Sequence, residues 1–241
     1  MRIRDTVPVK AKDLVTFVSL GLSLWVIVEA FGGDVALASS LVFFASIVDA
    51  ADGFVARLTK SANRFGAHLD DLADHFTYTI APAFVVFRAY LPQGRAAAFG
   101  LLFVVVAAGT LRLARSSATP MKYPGWFVGL PRSASALMIV PFLNSSVFAL
   151  PVGPALGVVL VLAMSALGLS YLPYPNHKSG LSRTWWIVVG SAPPIVMALH
   201  VFGQTFNAWT LVSTVYLLSP WLFFTGAERR AMRESLGVTS A

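Results

Sequence analysis

Eight apolar stretches, each close to the length that crosses a hydrocarbon core, punctuate this chain: Leu14 to Phe31, Val35 to Leu58, Phe65 to Tyr90, Arg95 to Arg115, Ser133 to Leu150, Pro154 to Tyr171, Trp185 to Phe202 and Trp209 to Thr225. About 20 apolar residues suffice for one transmembrane helix, and Gly, Pro and charge mark the breaks between them. The pattern predicts an all-α integral membrane protein of about eight transmembrane helices, read as a single domain over 1–241. Composition agrees: 56% of the 241 residues are hydrophobic and 12% charged, with a mean hydropathy of +0.72, against roughly 25% charged residues in soluble domains. Absence of cysteine removes disulfides, thiolate metal sites and thiol nucleophiles.

The charge balance orients the helices. Lys and Arg collect on the cytoplasmic side of membrane proteins. With eight spans, 16 of the 18 basic residues fall on one side, leaving Arg88 and Arg95 opposite. Both termini are then expected in the cytoplasm, with Met1 to Asp13 as a charged anchor segment and the chain in the cytoplasmic (inner) membrane. The net charge of +7 is read as contact with anionic membrane lipids and not with nucleic acid.

Ionisable residues inside spans are costly and mark function by default. Asp49, Asp52, Asp70, Asp71 and Asp74 fall within 26 residues of the second and third runs. At about 100° per residue, Asp49, Asp52 and Ala56 share a helix stripe, and Asp70 and Asp74 are i, i+4 neighbours on the next helix. Such carboxylates repel unless cations neutralise them, and oxygen-only ligands suit hard ions such as Mg²⁺ or Mn²⁺. A pair of these ions can clamp a phosphoryl group during in-line displacement. Gly53, Ala56 and Gly66 are small enough for close helix approach or backbone contact with a nucleotide, and Arg57 is a fixed cation suited to a diphosphate. An ion-coupled transporter is the alternative from another class, since intramembrane acids also line ion pathways; here, however, no second acidic layer continues across the bilayer. A non-catalytic scaffold would not repay so costly a set of acids.

The spacing D-x2-D-G-x2-A-R-x8-G-x3-D-x3-D, met at Asp49, Asp52, Gly53, Ala56, Arg57, Gly66, Asp70 and Asp74, resembles the signature of the CDP-alcohol phosphotransferase family. The resemblance implies a helical, homodimeric membrane enzyme that binds CDP-diacylglycerol or another CDP-alcohol and displaces CMP with an acceptor hydroxyl; the charge bias places its active site on the cytoplasmic face. It further implies that Asp49, Asp52, Asp70 and Asp74 hold two divalent metal ions, that Asp74 takes the acceptor's proton, and that Asp52, Gly53, Ala56, Arg57 and Gly66 bind the nucleotide.

Residues outside the signature bear on the acceptor. Leu69 to Asp74 followed by Ala81-Pro82-Ala83, then Leu111 to Arg115, Val128 to Pro131 and Tyr174-Pro175 with Lys178, resemble the phosphatidylserine synthase branch, making L-serine the expected acceptor. Choline, an inositol phosphate or glycerol phosphate are the alternatives. That branch tends to have Ser where Asp71 stands, and Asp74, Thr77 and Tyr78 also resemble bacterial phosphatidylcholine synthases. Arg112 and Arg115, at i, i+3, could dock a carboxylate or phosphate, with positive-inside anchoring as their other reading. Asp71, His75 and Tyr78 complete the candidate acceptor contacts; helix packing is the ordinary alternative for His75 and Tyr78.

Overall fold

A computed structural model of the chain describes residues 10–59, 64–118, 126–175 and 205–222, with Gly226, Ala227, Arg230 and Glu234. Its contacts gather into two compact units, Met1–Leu102 and Phe103–Ala241. In the first, α1 (Ala11–Gly32) turns sharply into α2 (Val35–Thr59). Gly33 makes that turn possible: it sits at φ 98°, where side chains are strained, and its N–H bonds to Glu29 and Ala30 carbonyls. Asp34 then starts α2 by accepting the Leu37 N–H at 2.8 Å.

α3 (Arg64–His75) passes through a π-helical turn (Phe76–Ile80) into α4 (Ala81–Tyr90). The third apolar run is therefore one helical path, as expected, but with a widened turn that hydropathy could not register. There the Ala81 N–H closes on the Phe76 carbonyl, five residues back, just ahead of Pro82, which has no N–H to offer.

α1 packs on α2, α3 and α4. Val26 and Ala30 on α1, and Ala38, Val42 and Ala45 on α2, are buried at helical spacing. Small residues let helices approach closely where lipid offers no hydrophobic drive. The opposite face of α1 leaves Leu14, Val18, Trp25, Val28 and Phe31 more than half exposed, an apolar surface suited to lipid and not to water.

In the second unit, the C-terminal part of α5 (Arg95–Ala118) leads to β1 (Trp126–Val128), α6 (Arg132–Leu143), α7 (Gly153–Leu169), β2 (Pro173–Pro175) and α8 (Thr205–Leu222). β1 and β2 pair antiparallel, with Phe127 opposite Tyr174, so the all-helical expectation needs correction by one small ribbon. The fifth apolar run also ends early. Pro141 weakens the last turn, and the Asn144 and Ser145 N–H groups close turns on Pro141 and Phe142 carbonyls, stopping α6 at Leu143 instead of Leu150.

Among the described residues, Lys12–Gly32 and Arg95–Ala118 are long and apolar enough to cross a membrane alone, whereas Val35–Asp49, Arg132–Leu143 and Gly153–Leu169 are apolar but shorter. The run Trp185 to Phe202, Lys60, Lys122, Lys178 and Arg183 lie outside the described residues.

Candidate active site

Asp49 comes from α2, and Asp70 and Asp74 come from successive turns of α3. Each offers a carboxylate oxygen, and these atoms lie within 4.8 Å of one another. At that separation each ionised pair repels by about 3–4 kcal/mol for an effective dielectric of about 20. All three are half-buried. A hard divalent cation suits such a set of converging oxygens, so the donor chemistry fits Mg²⁺ or Mn²⁺. Asp52, Gly53, Ala56 and Arg57 continue along the last turns of α2; their side chains lie outside the described residues.

Tyr78 follows Asp74 by four residues, inside the π turn, and its hydroxyl donates to Asp49 Oδ2 at 2.7 Å. A buried phenol thereby holds one carboxylate of the cluster, a hydrogen bond strengthened by the acceptor's charge. Behind it, Thr77 Oγ1 meets Ser23 Oγ at 2.7 Å and Ser19 Oγ at 3.3 Å on α1. These buried hydroxyls pin the π turn against α1.

Two residues read as part of a charged anchor prove to be structural. Asp13 is fully buried and accepts the Lys10 N–H at 2.8 Å, and the buried Lys12 ammonium donates to the Gly66 carbonyl at 3.0 Å. Lys12 thus ties the start of α1 to the first turns of α3, at a glycine of the signature. No local pattern announced this, because both residues stand beside the charged N-terminal run.

The remaining candidates separate. Asp71 is exposed and outside the carboxylate cluster, and His75 is half-buried next to Asp74. In the second unit, Arg112 Nη1 donates to Gly168 O at 2.5 Å and Val128 O at 3.2 Å, and Nη2 to Gly129 O at 3.4 Å. Arg115 donates to Leu169 O at 2.6 Å, Gly168 O at 3.3 Å and Ser170 O at 3.5 Å, and lies 5.3 Å from the centroid of the Tyr171 ring. Both guanidiniums cap the C-terminal end of α7, whose last carbonyls have no helical partner. They are committed to backbone.

Gly129 completes this knot. It sits at φ 74°, and a Cβ there would stand 2.7 Å from the carbonyl oxygens of both Gly168 and Ser170. Its N–H bonds to Leu172 O at 2.8 Å. On β2, Tyr174 is fully buried and stacks on Tyr216 at 5.8 Å; burial raises its hydroxyl pKa to about 12, so it is neutral at any physiological pH. Three of the motifs outside the signature, Leu111 to Arg115, Val128 to Pro131 and Tyr174-Pro175, therefore meet in one backbone-locking cluster.

Comparison with known proteins then places the chain. The sequence profile of the CDP-alcohol phosphatidyltransferase family matches residues 11–216. A CDP-diacylglycerol–serine O-phosphatidyltransferase of Helicobacter pylori is 32% identical over 226 residues, covering 88% of this chain and 90% of that protein. One of the same name from Methanocaldococcus jannaschii is 33% identical over 143 residues, 58% of this chain and 64% of its own length. An archaetidylserine synthase of Methanothermobacter thermautotrophicus is 26% identical over 166 residues, covering 68% and 69%.

Proposed function

The chain belongs to the CDP-alcohol phosphatidyltransferase family, and from that premise we propose that it transfers a phosphatidyl group from CDP-diacylglycerol to the hydroxyl of L-serine, releasing CMP. The acceptor is the one named in the relatives from Helicobacter and Methanocaldococcus. The ion-coupled transporter reading has no support in these matches. What carries the reaction chemistry is the meeting of Asp49, Asp70 and Asp74 within 4.8 Å inside the family signature.

In this reading the serine Oγ forms a bond to the phosphatidyl phosphorus while the bond from that phosphorus to the CMP oxygen breaks. An alcohol is a poor nucleophile at neutral pH, so Asp74 accepts its proton as attack proceeds. Asp49, Asp52, Asp70 and Asp74 would hold divalent ions, Mg²⁺ or Mn²⁺ and two in number by family resemblance, which when bound stabilise charge on the diphosphate and on departing CMP. Tyr78 orients Asp49 through its hydroxyl. Arg57 meets the diphosphate, and Gly53, Ala56 and Gly66 admit the nucleotide.

The protein is read as one membrane domain of eight spans in the cytoplasmic membrane, active as a homodimer, with both termini and the aspartates on the cytoplasmic side. Labelling of Ser61→Cys from that side alone tests the orientation, in a chain with no other cysteine. The decisive experiment for function is acceptor-dependent CMP release by the purified protein, compared over serine, choline, inositol phosphate and glycerol phosphate. Serine alone should support it at low concentration; release that depends on another alcohol would replace serine in the assignment.

A further inference from the structure

Beyond the π turn, the helical path that carries Asp70 and Asp74 continues into α4, which lines a cavity. α1 and α4 leave a cavity of about 290 Å³ lined by Ala30, Phe31, Phe84, Phe87, Arg88 and Leu91. Arg88 follows Asp74 by 14 residues along this path, a rise of about 20 Å, so the opening is separate from the aspartates. Its walls are aromatic, with the rings of Phe31 and Phe84 at 5.3 Å.

The one charge in this lining is uncompensated. Arg88 Nε is buried without a hydrogen-bond partner, and among the described residues no carboxylate forms an ion pair with the guanidinium. The acids nearest in sequence to the α1–α2 turn are otherwise engaged. Glu29 accepts the Trp25 indole N–H at 2.6 Å, and Asp34 caps α2. Gly33 permits the arrangement, since a Cβ there would stand 2.7 Å from Arg88 Nη2. A guanidinium near the end of a membrane helix calls for an anion, and its planar fork matches the oxygens of a phosphate.

We propose that this pocket seats an anionic membrane phospholipid, its phosphodiester on Arg88 and the first stretch of one acyl chain along Phe31, Phe84 and Phe87. The combination selects the occupant. A free phosphate gains nothing from three phenylalanines, and an uncharged diacylglycerol leaves the guanidinium unpaired. Arg88 lies two residues before the end of α4, close to where headgroup phosphates border the hydrocarbon. The volume admits a headgroup phosphate and a short length of chain, the rest lying along the exposed Phe31.

Native mass spectrometry of the full-length, detergent-purified protein tests this with added phosphatidylglycerol, diacylglycerol or inorganic phosphate. Wild type should retain a tight phosphatidylglycerol adduct, hold diacylglycerol at least tenfold more weakly, and keep the lipid against millimolar phosphate. Arg88→Gln should lower phosphatidylglycerol occupancy roughly tenfold or more, the scale of a lost charged hydrogen bond. Arg95→Gln, an exposed cation on the next helix, should leave it unchanged. If Arg88→Gln fails to fold, Arg88→Lys, which keeps the charge and loses the fork, should show a smaller drop than tenfold but a measurable one. Unchanged occupancy in the Arg88 variant that folds, equal retention of diacylglycerol, equal loss in Arg95→Gln, or displacement by inorganic phosphate would each overturn the proposal.

Discussion

Three carboxylates of the first unit converge within 4.8 Å, whereas two guanidiniums of the second unit spread over the carbonyls of Val128, Gly129, Gly168, Leu169 and Ser170. Both are expensive in an apolar chain, and they are stabilised in different ways. Converging carboxylates repel one another, and a hard cation shared among their oxygens relieves that repulsion. Guanidiniums set against a helix end find hydrogen-bond acceptors already present in the backbone. The two regions thus differ in how their charges are arranged: carboxylates from two helices converge on one point, as a shared cation requires, whereas the guanidiniums lie against carbonyls.

The contrast breaks most sharply under chelation. Activity should fall to background in excess chelator and return with Mg²⁺ or Mn²⁺; full turnover without divalent metal, measured as CMP release, would remove the metal reading of the carboxylates. Next in size, Asp74→Asn should cut transfer by about 10²–10⁴-fold, the usual cost of losing a general base, while largely preserving CDP-lipid affinity. Asp49→Asn should weaken both. Retention of more than about a tenth of the wild-type rate by Asp74→Asn would leave Asp74 as a ligand only.

The second unit should answer in stability and not in chemistry. Arg112→Gln strands carbonyls at the end of α7 and should cost about 1.5–3 kcal/mol, read as a lowered melting midpoint with the KM for serine little changed. The opposite result, a raised serine KM at unchanged stability, would restore Arg112 to the acceptor site. The smallest effect separates orienting from ligating in the first unit. Tyr78→Phe loses only the hydroxyl on Asp49 and should raise the metal concentration for half-activity about tenfold, with kcat nearly recovered at saturating metal. A loss of kcat that metal does not rescue would show instead that Tyr78 contacts a substrate.

The aspartate cluster was legible because its logic is local. Asp70 and Asp74 share a face through helical spacing alone, and the apolar runs that became α1, α2, α5 and α7 needed only length and punctuation. The family resemblance also picked out the motifs around Arg112, Gly129 and Tyr174, though not how they meet. Arg112 meets Gly168 across 56 positions, and Lys12 meets Gly66 across 54; no helical period relates residues so far apart. The π turn stayed hidden for a related reason. Within it, Thr77 bonds to Ser19 and Ser23 on α1, contacts that no local pattern announces. Residue type and spacing by themselves determined which side chains can share a face and what chemistry they could support. Which of those charges converge on one point, and which lie against a distant carbonyl, was decided only by the tertiary structure, because a polar group's partner in an apolar medium is whatever packing brings within hydrogen-bond reach.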